Sequence, residues 1–188
     1  MNRQKIVIDI DGVLADTIPA ILKYLNPRLL IDKITDYNML PNKYGQKFWD
    51  YFNYMWEKKK PNLIESDSPN IIKELMKNFE VEYLTGRSEL LKQPTEEWIK
   101  EKGLPELTLN ICSPKFDKRT FDFDYLLDDN PRFAYGLDKE KILFLFQQPW
   151  NKGLSFISNI NDNIVRIKSL KDVIGYFRRN DLILQGGS

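Results

Sequence analysis

The chain opens on a short apolar run, Lys5 to Ile10, rich in isoleucine and valine, that carries Asp9 near its end and leads directly into Asp11-Gly12. A run of this length with almost no polar alternation suits a strand covered on both faces, the kind found in parallel sheets. The aspartates then fall at the carboxyl end of that strand, the edge at which open α/β sheets bind ligands. Residues two apart project to the same side while the chain is extended, and Gly12 lets the backbone turn sharply afterwards. Two carboxylates gathered there without apolar cover cost free energy unless a cation or a ligand compensates.

The same pattern recurs along the chain. Val81 to Leu84, Leu107 to Ile111, Tyr125 to Leu127, Lys141 to Phe146 and Ile164 to Ile167 are further strand candidates. Helical segments lie between several of them. Ser68-Pro69 reads as an N-cap followed by proline at the first helical position, with Ile71, Ile72, Leu75, Met76 and Phe79 at helical spacing behind it. Pro94 to Lys102 holds Trp98 and Ile99 on one side and is stopped by Gly103, and Ser169 to Arg179 carries Leu170, Val173, Ile174 and Phe177 on one stripe. Strand alternating with helix predicts an α/β fold built on a doubly wound parallel sheet.

One segment breaks the rhythm. From about Thr17 to Asp67 the chain is aromatic and polar, with Tyr37, Tyr44, Phe48, Trp49, Tyr51, Phe52, Tyr54 and Trp56. So many large rings do not belong to a linker. The segment reads as a small helical cap, residues 18–67, inserted after the first strand of a core formed by 1–17 and 68–188. Asn38 to Gly45, with proline, asparagine and glycine, reads as a loop between two helical pieces.

Composition removes several chemistries. The chain has no histidine and a single cysteine, Cys112. Ser-His-Asp and Cys-His machinery, histidine-ligated metals and cysteine-ligated zinc are therefore excluded. Hydrolytic chemistry would have to use carboxylates, lysine, hydroxyls and an oxygen-seeking cation such as Mg²⁺. With 28 basic and 27 acidic residues, net charge +1, no stable nucleic-acid binding is expected. No apolar run is long enough to span a bilayer, and no signal peptide precedes the first strand, so a cytoplasmic location is expected. The oligomeric state is open.

A second acidic pair, Asp128-Asp129, follows Tyr125-Leu126-Leu127, and with Asp9 and Asp11 it would assemble a cation site at one sheet edge. Thr85-Gly86-Arg87-Ser88 follows the second strand, where a hydroxyl and free amides can hold phosphate. Lys118 could place positive charge beside both, with Lys115 as its competitor.

Together these four pieces resemble the motifs of the haloacid-dehalogenase superfamily of phosphohydrolases, in the same order and each after a predicted strand. The resemblance implies that Asp9 is the nucleophile, that Asp11 protonates the leaving oxygen and then activates water, and that Thr85, Gly86 and Arg87 bind the substrate. It gives Lys118 the role of neutralising charge, and it gives Mg²⁺ to Asp9, Asp11 through its backbone carbonyl, and the Asp128-Asp129 pair. Val13 departs from the threonine of many members, as in the nucleotidase branch. The similarity is greatest to the 5′(3′)-deoxyribonucleotidases, which carry a helical cap after the first motif. Gln147-Gln148-Pro149-Trp150-Asn151 is similar to a stretch in their bacterial relatives. This implies a small phosphorylated substrate, a nucleotide. In the cap the resemblance is one of position and aromatic content, and the rings there, such as Phe48, Trp49 or Trp56, suit stacking on a base. Polynucleotide 3′-phosphate ends, a small phosphorylated metabolite, or a non-catalytic phospholigand-binding role are the alternatives.

Overall fold

The computed structural model of the chain describes residues 3–36, 38–153 and 162–183. Six strands form one parallel sheet: β1 (Lys5–Ile8), β2 (Glu80–Gly86), β3 (Leu109–Cys112), β4 (Tyr125–Asp128), β5 (Ile142–Phe146) and β6 (Ile164–Ile167). Their order is β3-β2-β1-β4-β5-β6. The chain thus works outward from β1 to β3, then restarts on the other side of β1, and the reversal lies between β1 and β4. All six predicted strands are present. The first ends at Ile8 because Ile10 already anchors a turn, its carbonyl accepting from the N–H groups of Leu14 at 3.0 Å and Ala15 at 2.8 Å.

Alternation along buried strands sorts the side chains into two layers. Ile6, Ile8, Tyr83, Tyr125, Leu127, Phe144 and Phe146 face one cluster, and Val7, Leu84, Leu126, Leu143 and Leu145 the other. The first layer is covered by α4 (Ser68–Leu75), α5 (Lys92–Glu101) and α6 (Leu170–Arg179) through Ile72, Leu75, Trp98, Val173 and Phe177. Each such side chain, once removed from water, contributes about 1.5–3 kcal/mol. Among the described residues the second layer is closed by Phe123, Phe133, Ala134 and Leu137 from irregular and 3₁₀ segments.

The aromatic segment contains α1 (Thr17–Leu25), α2 (Met39–Tyr44) and α3 (Gln46–Tyr54), and α3 runs on into a π-helical turn, Met55–Lys59. Asn38 to Gly45 is a helix rather than a loop. Pro41 falls in its first turn, where no N–H is needed, and Gly45, with φ of +54°, turns the chain into α3. Ser68 is likewise the first residue of α4 and not its cap; Asp67 precedes it, and the Ser68 hydroxyl donates to the Glu65 carbonyl at 2.7 Å. Leu40, Phe48, Phe52, Met55 and Trp56 are buried in the same cluster as β1. The segment leaves and rejoins the sheet at one place: the Asp16 N–H donates to Asn62 O at 2.9 Å and the Ile64 N–H to Leu14 O at 2.8 Å. Tyr37 lies outside the described residues. Among those described, no helix is long and apolar enough to cross a membrane.

Candidate active site

The site is built by strand register. Ile8 of β1 pairs with Leu127 of β4, and the Asp9 N–H continues the ladder to Leu127 O at 2.9 Å, so Asp9 and Asp128 emerge side by side. Carboxylate oxygens of Asp9, Asp128 and Asp129 lie within 4.8 Å of one another, and all three residues are buried. Lys118 enters from a 3₁₀ turn, Lys118–Thr120, whose start is capped by the Asp117 carboxylate accepting from the Arg119 N–H at 3.1 Å. Its ammonium is 2.9 Å from Asp9 Oδ1 and 2.7 Å from Asp128 Oδ2. Lys118 therefore occupies the cluster, while Lys115 is exposed on the wall of the adjoining cavity.

Three buried carboxylates share one ammonium, and this imbalance governs the protonation of the site. Burial pushes the Asp9 carboxyl up to about 7 despite the pull of Lys118, with the charges of Asp128 and Asp11 adding to the rise. Burial, then the charges of Asp128 and Asp9, hold Asp129 well above the ordinary carboxylate range. For Lys118 burial acts to release the proton, but Asp128 and Asp9 together outweigh it and hold the ammonium above its usual value. An added divalent cation would offset the surplus negative charge.

The donor set fits such a cation. Asp128 is engaged through both oxygens, Oδ2 by Lys118 and Oδ1 by the Asn130 N–H at 2.8 Å. Asp129 Oδ2 accepts from the Trp150 indole N–H at 2.8 Å, but its buried Oδ1 has no partner. An orphaned buried carboxylate oxygen costs free energy that coordination recovers. All ligand atoms at hand are oxygens, which select hard, oxygen-seeking metals. Gly12 is required beside them, since with φ of +80° a Cβ there would lie 2.3 Å from Asp129 Oδ2.

Asp11 is placed differently from its partners. Its carboxylate is outside the acidic cluster and points to the neighbouring wall. Oδ1 accepts from the Thr17 hydroxyl at 2.7 Å and the Trp56 indole N–H at 3.2 Å. Oδ2 accepts from the Arg87 guanidinium and from the Thr85 hydroxyl at 3.3 Å. The Arg87 side chain is fully buried, and it also donates to Thr85 Oγ1 at 3.0 Å and Thr95 Oγ1 at 2.8 Å. Of Thr85, Gly86 and Arg87, only Gly86 lines the cavity; the hydroxyl and the guanidinium are turned beneath Asp11.

A cavity of about 810 Å³ opens over Asp9, Asp11 and Lys118. Phe48, Trp49 and Phe52 form one wall and Lys115, Phe116 and Arg132 another. Trp49 is 36% exposed, whereas Trp56 is wholly buried, with Arg87 3.8 Å above its ring and Trp98 5.3 Å away. Trp56 thus offers no open face to a base.

Sequence reasoning left the supports of the cluster without roles. Gln148 donates to Gly12 O at 2.7 Å, and Asn151 donates to Asp129 O at 2.8 Å, beside the Trp150 contact. The signal was the Gln-Pro-Trp-Asn stretch, which the fold brings behind Asp129. Thr95, on α5, accepts from Arg87 and fixes it.

Two sequence relatives carry related names. A Staphylococcus epidermidis protein assigned by inference as a 5′(3′)-deoxyribonucleotidase is 26% identical over 94% of this chain and 97% of its own. A Halalkalibacterium halodurans protein assigned by inference as a nucleotidase is 24% identical over 80% of this chain and 83% of its own. No protein-family model matches the chain. Among solved structures, a haloacid-dehalogenase-type hydrolase of Bacillus subtilis bound to magnesium superposes with a TM-score of 0.54 at 13% identity, over 95% of this chain and all of that one. A class C acid phosphatase of Bacillus anthracis gives 0.51 at 16%, over all of this chain and 82% of that one. The chain therefore has the fold of haloacid-dehalogenase-type hydrolases, and its sequence relatives carry nucleotidase names.

Proposed function

We propose that the chain is a Mg²⁺-dependent phosphatase acting on deoxynucleoside or nucleoside monophosphates. The observation that carries this reading is Lys118 bridging Asp9 and Asp128 beside the orphaned Asp129 Oδ1, at the floor of a cavity with an aromatic wall. An Asp9 oxygen attacks phosphorus, the bond to the leaving oxygen breaks, and Asp11 supplies the proton that oxygen needs. Water then attacks the aspartyl-phosphate, Asp11 accepts its proton, and phosphate departs. Lys118 balances charge on Asp9 and the phosphoryl group throughout, as a loose transition state requires. Asp9, Asp129 and the Asp11 carbonyl would hold Mg²⁺, with Asp128 anchoring Lys118; the ion supplies charge neutralisation on the phosphoryl oxygens.

Residues 18–67 act in this reading as a cap over a core of 1–17 and 68–188, and Trp49 is the ring available to a base. The relative assigned as a 5′(3′)-deoxyribonucleotidase supports a nucleotide substrate. We place the protein in the cytoplasm, where Cys112 stays reduced. The test is hydrolysis of a deoxynucleoside monophosphate, an oligonucleotide 3′-phosphate and sugar phosphates with Mg²⁺. Preference for the first is expected. Preference for either of the others would replace the substrate assignment, and no turnover on any would overturn the enzymatic reading.

A further inference from the structure

We infer that Trp56, backed by Arg87, is a positioning residue for Asp11, so that the helical segment contributes to leaving-group protonation and not only to substrate selection; this rests on the phosphatase reading above. The backbone makes it so. After α3 the helix widens into the π turn, with the Lys60 N–H reaching Met55 O at 2.7 Å, and this shift of phase turns Trp56 inward. The indole is wedged between the Arg87 guanidinium, 3.8 Å from its ring, and Trp98. Trp98 in turn donates its N–H to Pro61 O at 2.7 Å, anchoring the end of the same segment. The outcome is an N–H aimed at Asp11 Oδ1 at 3.2 Å, while Arg87 holds Oδ2.

Asp11, unlike Asp9, Asp128 and Asp129, has appreciable exposure, its side chain 21% accessible, and it lines the cavity. A carboxylate in that place has rotational freedom unless something removes it, and proton transfer demands a fixed geometry. Thr17, Thr85, Arg87 and Trp56 remove it, two donors to each oxygen. Of the four, Trp56 alone comes from residues 18–67, and it is 45 residues from Asp11 in sequence.

The test compares two leaving groups. A nucleoside 5′-oxygen needs a proton to depart, whereas 2,4-dinitrophenolate does not, and kcat/KM reports the steps up to that departure. Trp56→Phe keeps the ring against Arg87 and deletes the N–H. It should lower kcat/KM for a deoxynucleoside 5′-monophosphate by about tenfold, with a several-fold smaller loss on 2,4-dinitrophenyl phosphate. The inhibition constant of the product nucleoside should not move, and Trp56→His, which restores a ring N–H, should recover part of the loss. Equal losses on both esters would make Trp56 merely structural and overturn the inference. So would a loss matched by weaker nucleoside binding, which marks a stacking role. Should Trp56→Phe not fold, Arg87→Lys carries the same comparison through the other donor. If the unaltered protein cleaves neither ester, the phosphatase reading itself falls.

Discussion

The Trp150 indole N–H donates to Asp129 Oδ2 at 2.8 Å and leaves Oδ1 as the one buried side-chain oxygen or nitrogen without a partner among the described residues. Outer contacts of this kind orient a ligand and commonly govern metal affinity by 10–100-fold. Trp150→Phe should therefore weaken Mg²⁺ binding by about tenfold, read by calorimetric titration. An unchanged affinity would remove Asp129 Oδ1 as a ligand set in place by Trp150.

Asp9→Asn keeps the shape of the side chain and removes its attacking charge. Turnover should fall by at least about 10³-fold, with the circular dichroism spectrum preserved. Substantial activity in a purified, contaminant-free variant would transfer the nucleophile elsewhere.

Metal binding and pH should be linked. The Asp9 carboxyl rises from 3.8 to about 7, and Asp129 rises with it, so without metal the folded protein binds protons there more readily than the unfolded chain. Their contribution to stability is fully present below the ordinary carboxylate value and is lost as pH rises through about 7. Added Mg²⁺ must displace those protons at low pH but meets bare carboxylates above. The increase in Tm on adding Mg²⁺ should accordingly be larger at pH 8 than at pH 6. A shift independent of pH, or larger at pH 6, would contradict the site.

Trp49 is the exposed ring of the apolar wall, packed edge-on to Phe48 at 5.0 Å and Phe52 at 5.9 Å. A stacked base is worth on the order of 1 kcal/mol, so Trp49→Ala should raise KM for a deoxynucleotide roughly fivefold. p-Nitrophenyl phosphate, with fewer contacts there, should change much less. Equal effects on both substrates would deny Trp49 a part in base recognition.

The sheet and the acidic cluster were legible because both are written in local runs. Each apolar stretch from Lys5 to Ile167 forms its strand, and the aspartates that follow β1 and β4 meet because those strands are neighbours in register. Asn38 to Gly45 misled because Pro41 resembles a breaker until its place in the first turn of α2 is known. What the sequence could not show is which donors close on which oxygens. Arg87 looks like a phosphate ligand beside Thr85 and Gly86, yet Thr95 and Asp11 draw it under the cavity. Trp56 looks like an available ring, yet the π turn and Trp98 bury it.

The return of the chain at Asn62 to within hydrogen-bonding distance of Asp16 has an evolutionary corollary. An excursion whose two ends are tied together can lengthen or be exchanged with little penalty, since each doubling of a closed loop costs only about 0.6 kcal/mol. New specificities could thus be grafted onto an unaltered sheet. The graft would not be free of obligation, however: a transplanted segment would have to bring its own donor for Asp11, in the place that the Trp56 indole now fills.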